Sequence, residues 1–317
     1  MNLSEYKIWT LTDGSQGMIS QVMGLAQEFG KDIDQIETKL RFPWSILQPG
    51  ILPVFKFIFK NKINLKNKPN IIISCGRKSV YLSIYLKRKY KNIINIHIQN
   101  PKVSFTNFYY IITPKHDQVS GINVINSLGA LHKFSPKTLE ETKDDFNVSK
   151  KNLVTCIIGG QNQHYYFKEK EALDICFLIK KLKINNPKIN LLILTSRRTN
   201  DKIKNILRKK LSSISSLWLG EGKNPYTYAL KYSSNFIVTS DSTSMISEST
   251  VSGKPIYIYH LPFKRISKRF EKFHRDFKKL NITRNFEDNL ILSEWNYEAL
   301  HESKRIAGII KERIIED

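Results

Sequence analysis

Short β-branched runs alternate with amphipathic stretches along almost the whole chain, and this alternation leaves few folds open. In the first half the runs are Tyr6–Leu11, Ile71–Ser74, Ile93–Ile98, Tyr109–Thr113 and Asn123–Ile125, with helical periodicity at Ile19–Phe29 and Lys78–Tyr90. In the second half strands are expected at Leu153–Ile158, Leu191–Thr195, Phe236–Thr239 and Pro255–Tyr259, with a weaker one near Leu217. Helices are expected there at Glu169–Lys181, Lys202–Leu211, Pro225–Lys231 and Ser244–Val251. Strands that alternate with helices imply parallel sheets of right-handed βαβ units, because a parallel neighbour requires a long crossover. The sequence therefore predicts an α/β protein, and 317 residues is enough for two domains. The polar stretch Ser135–Lys151 has little apolar periodicity and is the expected junction, which places the domains at 1–140 and 150–292. A last helical segment, Ser293–Ile315 within 293–317, is expected to pack back on the first domain.

Composition removes several classes. With 41% hydrophobic and 25% charged residues the chain is not disordered as a whole, and 14 Gly with 11 Pro exclude a collagen-like protein. Cys75, Cys156 and Cys176 lie in or beside apolar runs and form no Cys-x-x-Cys pair, which fits a reducing compartment better than a disulfide framework. The start, MNLSEYKIWTLTDGS, lacks a basic segment followed by an apolar one, so a cytoplasmic location is expected, with the inner face of the membrane as a peripheral site. The most apolar window, Phe42–Phe59, contains Pro43, Pro49, Pro53 and Gly50, which would break a spanning helix. Its aromatics are flanked by Arg41, Lys56, Lys60 and Lys62, and this mixture suits either a loop lying on a membrane interface or an excursion packed on its own domain.

The 51 Lys and Arg against 28 Asp and Glu leave a net charge of +23. Nucleic acid, an anionic membrane surface and a phosphorylated ligand would each use it, and abundant Lys, Ile and Asn from AT-rich coding DNA would explain it without function. No nucleic-acid-binding module is recognisable, and binding to nucleic acid is not expected.

In an open parallel sheet, ligands sit at the carboxyl ends of the strands. Polar residues cluster just there: Thr12-Asp13-Gly14-Ser15-Gln16-Gly17, Cys75-Gly76-Arg77-Lys78-Ser79, Gly159-Gly160-Gln161-Asn162, Ser196-Arg197-Arg198-Thr199, and Ser240-Asp241-Ser242-Thr243-Ser244-Met245 with Glu248 in the next helix. Glycines at strand-to-helix turns let backbone N–H groups approach an anion. Arg197 and Arg198 have the forked donors that clamp a diphosphate, Ser242, Thr243 and Ser244 offer hydroxyls, and Glu248 can accept from a ribose diol. His116, in Pro114-Lys115-His116-Asp117, is a candidate general base. No P-loop, no nucleophile elbow and no spaced set of metal ligands is present.

These loops, together with Gln21, Gln99-Asn100-Pro101, Asn224-Pro225-Tyr226 and Gly253-Lys254-Pro255, resemble the mitochondrial fission ELM family from about residue 10 to 255. Asn100 and Lys115 depart from that pattern, standing where acidic residues are expected. The second half also resembles the donor half of GT-B glycosyltransferases, in which a glutamate before a Gly-x-Pro strand holds the ribose, as Glu248 before Gly253-Lys254-Pro255 would.

The resemblance implies two Rossmann-like domains with parallel sheets facing a cleft. It also implies a metal-independent glycosyltransferase or nucleotide-sugar-binding protein, with a nucleotide-diphosphate sugar as donor and no cofactor required. The donor would lie on Gly159, Gly160, Arg197, Arg198, Asp241, Ser242, Thr243, Ser244, Met245 and Glu248. An acceptor, lipid-linked or at an anionic membrane, would meet Gly14, Gly17, Gln21, Arg77 and Asp117, with Asp13 or His116 as base. Plant members of the family are named for organelle fission at the mitochondrial outer surface, so the alternative is a non-catalytic membrane-associated adaptor on the same scaffold. The oligomeric state is left open.

Overall fold

A computed structural model describes residues 6–60, 68–287 and 290–316. The chain divides into two compact units, Met1–Lys133 with His301–Asp317, and Phe134–Leu300. Each is built on a six-stranded sheet in which every pairing is parallel.

In the first unit the chain runs β1 (Ile8–Thr12), α1 (Gln16–Phe29), β2 (Ile33–Glu37), β3 (Ile71–Cys75), α2 (Arg77–Lys89), β4 (Ile94–Ile98), β5 (Tyr110–Pro114) and β6 (Val124–Ser127). The sheet order is β2-β1-β3-β4-β5-β6. Buried on both faces, its central strands read as unbroken apolar runs. Ile8, Ile71 and Ile73 face one core with Val22, Leu25 and Phe29, whereas Trp9, Leu11 and Ile72 face another with Leu82 and Leu86. The edge strand β2, IDQIE, is half-exposed and carries no apolar run, so no periodicity predicts it.

The second unit contains α3 (Pro136–Glu140), β7 (Leu153–Ile158), α4 (Glu169–Asn185), β8 (Asn190–Thr195), α5 (Asp201–Leu211), β9 (Ser216–Trp218), α6 (Tyr226–Tyr232) and β10 (Asn235–Thr239). It continues through α7 (Thr243–Ser249), β11 (Ile256–Tyr259), α8 (Lys268–Lys279) and β12 (Thr283–Asn285). The order is β12-β11-β10-β7-β8-β9, that of a doubly wound dinucleotide-binding sheet. α8, absent from the expected elements, buries only Phe270, Phe273 and Phe277, an i, i+3, i+7 stripe on an otherwise charged helix.

The stretch expected as the junction is partly ordered. α3 lies within it, with the Ser135 hydroxyl accepting from the Thr138 N–H at 3.2 Å. The terminal helix, α9 (Glu302–Glu316), starts nine residues later than the sequence predicts, and residues 293–300 belong to the second unit. α9 packs on α1 and buries Ile306, Ala307 and Ile310 in the first unit's core. Glu302 accepts from the Leu128 N–H at 2.7 Å, and the Ser303 hydroxyl donates to the His132 carbonyl at 3.0 Å. A Cβ on Gly24 of α1 would stand 2.1 Å from that same carbonyl oxygen, so only glycine permits this approach.

Candidate functional site

In the second unit strand order reverses between β7 and β10, and the loops leaving those two strands diverge to opposite edges of the sheet. Gly159-Gly160 follows β7 and Ser240-Asp241 follows β10, so the switch point brings them together. Asp241, 1% exposed, is the centre of the constellation. Its Oδ2 accepts from the Gly160 N–H at 3.1 Å and from Arg198 Nη2 at 2.6 Å, and its Oδ1 accepts from the Thr239 hydroxyl at 2.6 Å. The Gly159 N–H donates to Thr239 Oγ1 at 2.8 Å, and the Thr199 hydroxyl donates to the Gly159 carbonyl. Burial raises the Asp241 pKa above the ordinary carboxylate value, and outweighs the opposing pull of Arg198.

Gly159 and Gly160 are built into this network through both backbone and space. Their amides are spent on Thr239 and Asp241, and their lack of side chains is what makes room: a Cβ on Gly159 would lie 2.1 Å from Asp241 Oδ1, and one on Gly160 2.1 Å from the Arg198 carbonyl oxygen. Arg198 is paired with Asp241, yet its side chain remains 43% exposed. Arg197 is exposed beside it, and among the described residues it takes part in no ion pair.

Ser242 caps α7, its hydroxyl accepting from the Met245 N–H at 3.4 Å, and Thr243, Ser244 and Met245 are half-buried over the same turn. One turn further on, Glu248 Oε2 accepts from the Tyr226 hydroxyl at 2.6 Å. Burial, and then the charge of Glu248, raise the Tyr226 pKa well above that of an ordinary phenol, so Tyr226 is a fixed donor that orients the carboxylate. Thr199, Thr239 and Tyr226 were given no role by the sequence, although each stands in a strand-end loop or in the Asn-Pro-Tyr motif. At the neighbouring strand ends, His260 Nε2 lies 3.2 Å from Asn285 Oδ1, and His274 Nε2 donates to the Ser240 carbonyl at 3.0 Å. Beyond β7 and β8 a cavity of about 490 Å³ opens between Gln161, Phe167, Lys168, Lys170, Asn200 and Lys202.

The first unit has its own switch point between β1 and β3. There Asp13 Oδ1 accepts from the Ser15 N–H at 3.1 Å, and the Gly14 N–H donates to the Thr12 hydroxyl at 3.1 Å with φ +87°, a value that favours glycine. Gln21 donates to the Gly17 carbonyl at 3.3 Å, and its Oε1 lies 3.8 Å from Cys75 Sγ. Burial pushes the Cys75 thiol far above its usual range. Asp13, Gly14, Gly17 and Gln21 are thus gathered at one place. Arg77 begins α2 nearby, but its guanidinium donates to the Ser45 and Leu47 carbonyls and is committed to that turn. His116 and Asp117 follow β5, further across the sheet; the His116 side chain is 2% exposed, with Nε2 3.6 Å from Asp117 Oδ1. Among the described residues no three His, Cys, Asp or Glu side chains are grouped to hold a metal ion.

Two parallel sheets of this kind, each gathering polar loops where its strand order reverses, define a GT-B-like α/β protein. The chain belongs to the Mitochondrial fission ELM1 family, whose model matches residues 16–314. It is 28% identical to the uncharacterized protein RP120 of Rickettsia prowazekii (strain Madrid E), over 96% of this chain and 97% of that one. It is 24% identical to the mitochondrial fission protein ELM1 of Arabidopsis thaliana, over 84% of this chain and 70% of that one. The fold is similar to a UDP-GlcNAc 2-epimerase from Neisseria meningitidis bound to UDP-GlcNAc, with a TM-score of 0.56 and 13% identity, covering 98% of this chain and 100% of the other.

Proposed function

We propose that the strand-end loops of the second unit bind a nucleoside diphosphate sugar and that the chain transfers the sugar without a metal. The observation that carries this is the Arg198–Asp241 pair locked onto Gly159 and Gly160 at the β7/β10 reversal, with Glu248 oriented by Tyr226 close along the chain. The epimerase of the same fold, bound to UDP-GlcNAc, makes a uridine nucleotide the first ligand to test. In this reading Arg197 and the exposed part of Arg198 face the diphosphate, the hydroxyls of Ser242, Thr243 and Ser244 support it, and Glu248 accepts from the ribose diol. The bond from the sugar's anomeric carbon to the diphosphate breaks as one to an acceptor oxygen forms. The leaving diphosphate keeps the electron pair, and the arginines disperse its charge. The acceptor's proton passes to a general base or to solvent. His116 is enclosed and less suited to that role.

Thermal unfolding with uridine, guanosine and adenosine diphosphates and their sugars tests the proposal. A nucleotide sugar should raise the unfolding temperature of the wild-type chain, and Arg197→Ala and Glu248→Gln should each reduce the effect. If none of these ligands shifts the wild-type transition, the site does not bind nucleotide sugars. A second reading, a non-catalytic adaptor that uses the scaffold to hold a partner, is favoured by the satisfied state of the glycine amides and Arg198 and by the name of the Arabidopsis relative. That reading requires the same titration to be silent.

A further inference from the structure

A different surface, on the first unit, points to a second binding function. Residues 41–60 leave β2 and return toward β3 as an ordered excursion held at both feet. Leu40, Ile58 and Phe59 are buried in the core with Trp9, Ile72 and Tyr81. The Arg41 N–H donates to the Ile58 carbonyl at 2.8 Å, and the Lys60 N–H to the Lys39 carbonyl at 2.9 Å. Arg77 pins the carbonyls of Ser45 and Leu47 from below, and the Tyr81 hydroxyl donates to the Gln48 carbonyl at 2.9 Å. Trp44 braces the tip through its indole N–H to the Pro53 carbonyl at 2.9 Å and by edge contact with Phe57.

This scaffolding holds apolar side chains outward. Phe42, Ile46, Ile51, Phe55 and Phe57 are 76, 65, 61, 48 and 59% exposed. Of the other large apolar side chains exposed among the described residues, Leu173, Phe177 and Ile184 share one face of α4, and Ile122, Ile266, Leu280 and Ile291 are spread along the chain. A group of five within sixteen residues marks an interaction surface.

Charge identifies the occupant. From Thr38 through His116 the chain carries fifteen Lys and Arg and no Asp or Glu. Arg41 and Lys60 flank the exposed group in the chain and Lys56 stands within it; all three are exposed, and among the described residues none of the three is in an ion pair. Lys62 lies outside the described residues. No described helix is long and apolar enough to cross a membrane.

We propose that residues 42–57 dock the chain on an anionic lipid bilayer, with the Phe and Ile side chains entering the headgroup boundary and Arg41, Lys56 and Lys60 meeting the phosphates. Aromatic tips with cations beside them in the chain match both layers of that interface, and an acid-free stretch this long removes the repulsion a carboxylate would bring. The proposal stands apart from the nucleotide site, since every residue it uses is in the first unit.

Co-sedimentation of the full chain with vesicles tests it. Binding is expected to vesicles of phosphatidylcholine with about a third phosphatidylglycerol, to be weak on pure phosphatidylcholine, and to fall as salt is raised. Phe55→Ser with Phe57→Ser should lower the partition coefficient about tenfold through lost insertion, and Lys56→Glu with Lys60→Glu should do the same through charge. All four positions are exposed, so circular dichroism should report unchanged folding. Wild-type protein that stays in the supernatant overturns the proposal, as does equal partitioning of folded variants. Sedimentation velocity covers the remaining occupant: a wild-type dimer abolished by Phe55→Ser with Phe57→Ser, without vesicle binding, would assign the surface to a second copy instead.

Discussion

Asp241→Ala is the most informative single perturbation of the second unit. The carboxylate satisfies the Gly160 N–H and the Thr239 hydroxyl, and both residues are buried. Truncation leaves two buried donors without an acceptor, each at about 1–3 kcal/mol. The third partner, Arg198, is 43% exposed and can rehydrate, so its loss counts only on the scale of a surface pair, about 0–1 kcal/mol. A total near 3–5 kcal/mol is expected, most of it from the two buried donors. Asp241→Asn keeps the volume and one acceptor and should cost about half as much. Hydrogen exchange of the peptides covering Leu153–Ile158 and Asn235–Thr239, with urea unfolding by circular dichroism, reads the effect where it arises. Protection in β7 and β10 within about 1 kcal/mol of wild type in Asp241→Ala would refute the keystone role.

His97, buried with Nδ1 2.8 Å from Ser74 Oγ, is held by burial at a pKa of about 3. The unfolded chain, with an imidazole near about 6.5, binds the extra proton first, so this group's stabilising contribution falls as pH drops from about 6.5 toward 3, by up to about 1.4 kcal/mol per unit. Urea midpoints across that range should fall less steeply in His97→Gln, and parallel slopes would rule the histidine out as their source. Gly24→Ala should cost about 1–3 kcal/mol in thermal unfolding, because its Cβ would meet the His132 carbonyl at 2.1 Å; a neutral result would mean that α1 can shift away freely. Tyr226→Phe should weaken uridine diphosphate about three- to tenfold in calorimetry by releasing Glu248, and an unchanged Kd would take Glu248 out of the site.

The sheets were legible because parallel strands covered on both faces leave unbroken runs such as IIISC and LVTCII. β2 was not, since an edge strand half in solvent has no reason to carry such a run, and α8 was hidden because three phenylalanines among charges look polar on average. At the site, position along the chain sufficed to single out Asp241, Arg198 and Glu248. How Asp241 meets Arg198 and the glycines depends on β7 and β10 being neighbours although β8 and β9 lie between them in the chain. That pairing makes the bare Cα positions of Gly159 and Gly160 the room that Asp241 and the Arg198 backbone need.

The return of α9 to the first unit sets an order of events during synthesis. The first unit's strands leave the ribosome early, but the helix that covers α1 comes only after Phe134–Leu300 has been made, roughly ten to thirty seconds later at ordinary elongation rates. The second unit, continuous in sequence, can close as soon as it emerges, so the unit translated last is the one free to finish first. Until Ile306 and Ile310 arrive, the face of α1 around Leu25 stays open, and a nascent chain stalled before His301 would present that face to chaperones.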